Sequence, residues 1–208
     1  MEFSKTINLP KTNFSMKANL SITENNWLKF WEEEKIYEHL KKNASNFKKY
    51  ILHDGPPYAN GDLHLGHALN KILKDIICRT KFLNKFDVDY VPGWDCHGLP
   101  IEWKVEEEFK KKGKEKSEVG LDKFRERCRS FASYWVGEQK TQFQRFGIQS
   151  NWKEIYLTMN KDSEVTIVEE LLKFFETGDL YLGFKPVMWS VVEQTALAEA
   201  EIEYHEKI

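Results

Sequence analysis

The residues best placed by type and spacing to do chemistry are His64 and His67, which flank Gly66 in His64-Leu65-Gly66-His67, with Pro56 eight residues before His64 and Asp95 thirty-one after it. An imidazole N–H donates well to a phosphate oxygen, and a glycine between two such rings leaves room for a flat base. Charge developing on phosphorus during group transfer is stabilised by fixed donors rather than by covalent chemistry, so the pair suits adenylyl transfer. The tetrapeptide alone also fits an exposed helix start with no chemistry. Its context separates the two readings, because Pro56 and Gly93-Trp94-Asp95-Cys96-His97-Gly98 lie where neighbouring strands end and three loops meet on one rim. Trp94 reads as packing. Cys96 and His97 are neighbours at a strand end and point to opposite sides, which speaks against a Cys/His dyad. His53 either touches the nucleotide or caps the loop.

The elements that carry these residues follow from periodicity. Lys49-Tyr50-Ile51-Leu52-His53 reads as a buried strand that stops at Asp54-Gly55-Pro56-Pro57. Leu65, Leu69, Ile72, Leu73, Ile76, Ile77 and Leu83 then repeat at helical spacing, and a helix is expected to start near His64. A second strand over about 87 to 91, ending at Pro92-Gly93-Trp94, completes a βαβ unit. That order aims the helix's free N–H groups and its positive dipole end at the rim, where anions bind. Upstream, Ser21 and Glu24 have capping-box spacing ahead of an expected amphipathic helix over about 22 to 42, preceded by an extended arm. Downstream, Leu121, Phe124, Cys128, Phe131 and Trp135 mark one helix. Another is expected to begin at Asp162 or Ser163 and run through Phe175 to Gly178. Strand formers fill 181 to 190, where Pro186 marks an edge or a new module. The lysines at 110, 111, 112, 114 and 116 read as a solvated turn.

Bulk properties exclude several classes. With 41% hydrophobic and 14% aromatic residues in 208, the chain can bury a sizeable core. No apolar run approaches the roughly 20 residues that cross a bilayer. The first twenty residues do not read as a secretory signal, and Cys78, Cys96 and Cys128 have no C-x-x-C spacing, so a cytoplasmic, reducing location is expected. A net charge of -2 gives no global case for nucleic acid.

Residues 53 to 67, HDGPPYANGDLHLGH, resemble the HIGH region of the class I aminoacyl-tRNA synthetases, in particular their isoleucine branch. Asn70 to Ile77, Tyr90 to Glu102 and Ala196 to Tyr204 are similar to the same family. The resemblance implies isoleucine–tRNA ligase activity: L-isoleucine and ATP, with Mg2+, form isoleucyl-adenylate, and the aminoacyl group passes to the terminal adenosine of tRNA(Ile). It places Asn60, Gly61, His64, Gly66 and His67 at the ATP, with the two histidines catalytic, Asp95 on the substrate ammonium, and Pro56 on the pocket for the aliphatic side chain. The fold implied is α/β, the first half of a Rossmann-like (HUP-type) nucleotide-binding domain with a helical insertion. The expected division is an arm and helix over 1–48, the half-domain over 49–180, and the start of a connective, editing-type module over 181–208.

Several family features are missing from these residues. The KMSKS signature is absent, and Lys114-Glu115-Lys116-Ser117 is a superficial likeness too close to the first βαβ unit. Met188 to Gln194 lacks the cysteines with which some relatives hold zinc, so no zinc or other metal site is expected. Editing and anticodon-binding domains are not represented, and the missing remainder of such an enzyme is a possible partner. The alternatives are a valine or leucine ligase of the same subclass, or a non-catalytic half-domain that needs a complementary chain.

Overall fold

A computed structural model describes residues 6–8, 13, 15 and 17–206. At its centre β1 (Lys48–His53), α3 (Leu65–Leu83) and β2 (Phe86–Val91) form the expected βαβ unit. The strands pair in parallel, from Lys48 opposite Phe86 to His53 opposite Val91. Two short strands extend the pattern: β3 (Gly93–Trp94) pairs in parallel with β4 (Tyr156–Leu157). Between them in sequence lie α4 (Leu99–Lys111), a 3-10 turn at Lys116–Glu118, and α5 (Leu121–Arg145). Ile101 and Val105, one helical turn apart on α4, and Phe131, Val136 and Phe143 of α5 pack with Val88, Tyr90 and Trp94 into the main core. Near the C-terminus α6 (Lys161–Glu176) precedes an antiparallel pair, β5 (Trp189–Ser190) and β6 (Thr195–Ala196).

Several local expectations are corrected. Upstream of the sheet the single helix is two, α1 (Leu20–Glu33) and α2 (Ile36–Ala44), broken where Lys35 takes φ 49°. The break re-aims α2 so that Lys41 Nζ reaches Asp87, Asp89 Oδ1 at 2.5 Å and the Val88 carbonyl at 3.1 Å. Ser21 sits inside α1, whose N-cap is Asn19 with no side-chain cap bond, so the Ser21/Glu24 capping box does not form. The extended arm before it falls mostly outside the described residues. α4 was not expected from the sequence, and the basic run expected as a turn begins in its last turn, where Lys110 pairs with Glu106 at 2.8 Å. The N-cap of α6 is Asn160 rather than Asp162 or Ser163, and the strand expected over 181 to 190 is confined to its last two residues.

Two corrections concern burial. β1 is not buried, and Ile51 is 64% exposed. On α3 the expected faces are exchanged: Lys71, Asp75 and Cys78 are buried, while Leu65, Leu69, Ile72 and Leu73 face outward. The inner face is polar because it meets partners: Asp54 pairs with Lys71 and with Lys74 at 2.6 Å, and Asp75 accepts from Arg79 Nε at 2.5 Å and the Gln149 N–H at 3.1 Å. Buried charges require such pairing.

Candidate adenylate site

Where β1 ends, the Asp54 N–H still bonds the Val91 carbonyl at 3.0 Å, and Pro56-Pro57 then turn the chain towards the end of β3. Tyr58 and Asp95 form a parallel bridge: the Asp95 N–H donates to the Pro57 carbonyl at 2.8 Å and the Ala59 N–H to the Asp95 carbonyl at 2.9 Å. Pro56 therefore stands one residue from the ladder that holds Asp95. The Asp95 carboxylate is oriented by its own loop, with Oδ1 accepting from the His97 N–H at 3.2 Å and the Thr158 hydroxyl at 3.5 Å. Thr158 also accepts from the Cys96 N–H at 2.9 Å. Asp95 Oδ2 carries no hydrogen bond among the described residues.

The histidines open α3 as an unusual capping box. His64 Nδ1 accepts from the Gly66 N–H at 3.1 Å, and His67 Nδ1 accepts from the His64 N–H at 3.3 Å. A neutral imidazole that accepts at Nδ1 carries its proton on Nε2, so both rings present an Nε2–H donor. The rings lie 3.9 Å apart between centroids and are tilted by 30°. Burial, and then the neighbouring His64, push the His67 pKa below its ordinary value, which favours the neutral donor form. Gly66 has a role beyond leaving space for a base: a Cβ there would come within 2.9 Å of His64 Cε1. A side chain at this position would force the ring to shift away from the helix start.

The other residues singled out in the sequence are distributed around this rim. Asn60 Nδ2 reaches the Pro100 carbonyl at 3.5 Å, and the Gly61 carbonyl accepts from Gln139 at 2.7 Å. Trp94 is fully buried, in keeping with a packing role. Cys96 is buried with Sγ 3.7 Å from the Trp94 carbonyl, while His97 Nε2 faces Glu164 at 3.5 Å, so the two do not form a dyad. His53 packs edge-on against Tyr156, and its Nδ1 lies 3.0 Å from the Asp54 carbonyl. Lys116 pairs with Glu102 at 3.4 Å.

Sequence reasoning missed the supports. Gln139 and Gln142 of α5 bond the loop between β1 and α3, and Asp54, Lys71 and Lys74 lock its base. One signal was present: Gln139 interrupts the stripe Phe131, Trp135, Phe143 at four-residue spacing, and a polar residue in an apolar stripe has a partner to find. Burial, then the Lys74 ammonium, pull the Lys71 pKa down to about 7. A cavity of about 980 Å3 lies elsewhere, between α1, α2 and residues 144–154, and none of the predicted site residues lines it. The rim is the better candidate because it gathers directed donors and an oriented carboxylate. No group of three or more metal-ligating side chains occurs among the described residues.

Comparison with known proteins agrees with this geometry. A family model, tRNA synthetases class I (I, L, M and V), matches residues 26–208. The chain is 53% identical to isoleucine–tRNA ligase of Ruegeria pomeroyi over 99% of its own length and 55% identical to that of Pelagibacter ubique over 97%. It spans about a fifth of the length of these relatives, 21% and 22%. Among solved structures, a LeuRS of Agrobacterium radiobacter, described as a ternary complex with tRNA and LeuAMS, superposes with a TM-score of 0.66 at 23% identity, covering 88% of this chain and 21% of that one. The fold is thus that of a class I synthetase catalytic domain, a partial Rossmann-like α/β unit. With the family model covering most of its length and the paired histidines at the start of α3, the chain belongs to the class I tRNA synthetases of the I, L, M and V group.

Proposed function

We propose that this chain supplies the ATP- and L-isoleucine-binding side of an isoleucine–tRNA ligase. The observation that carries the reading is the pair of Nε2–H donors at the start of α3, on the loop bridged to Asp95. In the proposed step the isoleucine carboxylate oxygen attacks the α-phosphorus of ATP, the bond to the bridging oxygen breaks, and pyrophosphate leaves with its electron pair. His64 and His67 donate to the phosphate oxygens as charge builds, Asn60 and Gly61 line the nucleotide, and Gly66 lets the base approach. Asp95 Oδ2 receives the substrate ammonium, a charge-assisted bond, and Pro56 borders the aliphatic side chain. The isoleucine assignment is supported by the 52–55% identity to isoleucine enzymes.

Transfer to tRNA(Ile) belongs to the same proposal and draws on the remainder of a longer enzyme, in the cytoplasm. The division into 1–48, 49–180 and 181–208 is proposed too, supported by the tie of Lys41 to β2 and by the lack of buried residues in β5 and β6. A second reading, a half-domain that docks on a complementary chain, is favoured by the outward apolar faces of α3 and α6. Titration calorimetry with a non-hydrolysable isoleucyl-adenylate analogue tests the function. Saturable binding that is lost in Asp95→Ala and in His64→Ala is expected, with valyl and leucyl analogues binding more weakly. Absence of binding by a folded sample would overturn the proposal.

A further inference from the structure

The ammonium site and the phosphate site stand on different loops, and catalysis requires them to be held in register to fractions of an ångström. One buried amide sits where that register is set. Gln139 is 1% exposed and uses all its principal hydrogen-bonding capacity: Oε1 accepts from Trp94 Nε1 at 2.9 Å, while Nε2 donates to the Tyr58 carbonyl at 3.1 Å and the Gly61 carbonyl at 2.7 Å. The amide cannot be flipped, because an indole only donates and carbonyls only accept. Trp94 precedes Asp95, Tyr58 bridges Asp95, and Gly61 lies three residues before His64. Close by on α5, Gln142 Oε1 accepts from the Leu63 N–H at 3.2 Å, and its Nε2 donates to Asp62 Oδ1 at 3.0 Å, immediately ahead of His64.

We propose that Gln139 is a positioning residue that fixes the distance between the amino-acid and nucleotide halves of the site, and that Gln142 sets the start of α3 beneath the phosphates. The inference rests on the proposed function. Gln139 is buried and acts through the loops it bonds. Its planar amide holds both loops at once, and its loss would leave two carbonyls and an indole N–H without their partner.

A ligand that spans both halves distinguishes this role from a general structural one. Binding of ATP, of isoleucine and of the isoleucyl-adenylate analogue is measured with the unaltered chain, Gln139→Met and Gln142→Met. In Gln139→Met the spanning analogue is expected to lose about tenfold or more in affinity, while each separate substrate loses less than about threefold. In Gln142→Met, ATP and the analogue weaken together and isoleucine is unaffected. Equal weakening of all three ligands in Gln139→Met, or none, would overturn the inference while leaving the function intact. If Gln139→Met does not fold, the half-exposed Gln142 decides, and equal loss of ATP and isoleucine there would overturn it. Failure of the unaltered chain to bind the analogue overturns the functional reading, and this inference with it.

Discussion

His67 accepts at Nδ1 from a backbone N–H, so protonating that nitrogen would oppose two donors and undo the cap. Because its folded pKa lies below the ordinary histidine value, the neutral ring contributes stability that is present above about 6.5 and is lost as pH falls through the folded pKa. Histidine ring NMR titration should therefore find His67 titrating below the ordinary histidine value of about 6.5, with the Nε2–H tautomer at neutral pH. A His67 midpoint at or above that value would contradict the assignment. Gly66→Ala tests the close approach of the His64 ring. The methyl group should displace the ring and reduce adenylate-analogue affinity by about tenfold or more, with the helix content of α3 kept, since alanine is the better helix former.

The helix and strands are joined by charge as well as by packing. Asp54 is buried between Lys71 and Lys74, so removing it leaves both lysines, one of them fully buried, without their shared carboxylate, whereas removing Lys71 leaves Asp54 its second partner. Denaturant unfolding should show Asp54→Ala costing about 3–5 kcal/mol and Lys71→Met clearly less. The reverse order would disprove this division of roles. At the other end of the sheet, Lys41 and then Lys49 hold the Asp87 carboxyl below the usual carboxylate range. For Asp89, burial pushes the pKa up, but the same two ammonium groups overrule it. Both carboxylates thus contribute stability that is complete above about 4 and is lost as pH falls through their lowered folded values. Asp87→Asn should flatten the acid limb of the stability profile, and an unchanged limb would show that this cluster does not govern it.

For the molecule as a whole, the outward residues form faces rather than scattered points. Leu65, Leu69, Ile72 and Leu73 line one side of α3, Ile51 is exposed on β1, and Val168, Leu171, Leu172 and Phe175 occupy α6. β1 pairs only with β2 among the described residues, leaving its other edge without a strand. Such faces drive association. Sedimentation velocity should show self-association that grows with concentration and diminishes in Leu69→Glu and Val168→Glu, and a monomer at every concentration would count against this.

The βαβ unit, the start of α3 at His64 and the convergence of the Pro56 and Asp95 loops were legible from residue order, because strand length, Gly-Pro breakers and helical period are local properties. The faces were not. A helical stripe of leucines and isoleucines reads as core, yet in α3 the buried side carries Lys71 and Asp75, because the carboxylate and arginine that satisfy them come from elsewhere in the fold or the next helical turn. The break at Lys35 and the missing strand over 181 to 188 likewise depend on what each segment meets, as does the merging of Gln139 into the site. Periodicity states which side chains share a face, but only the assembled chain supplies the partners that determine which face can be withdrawn from water.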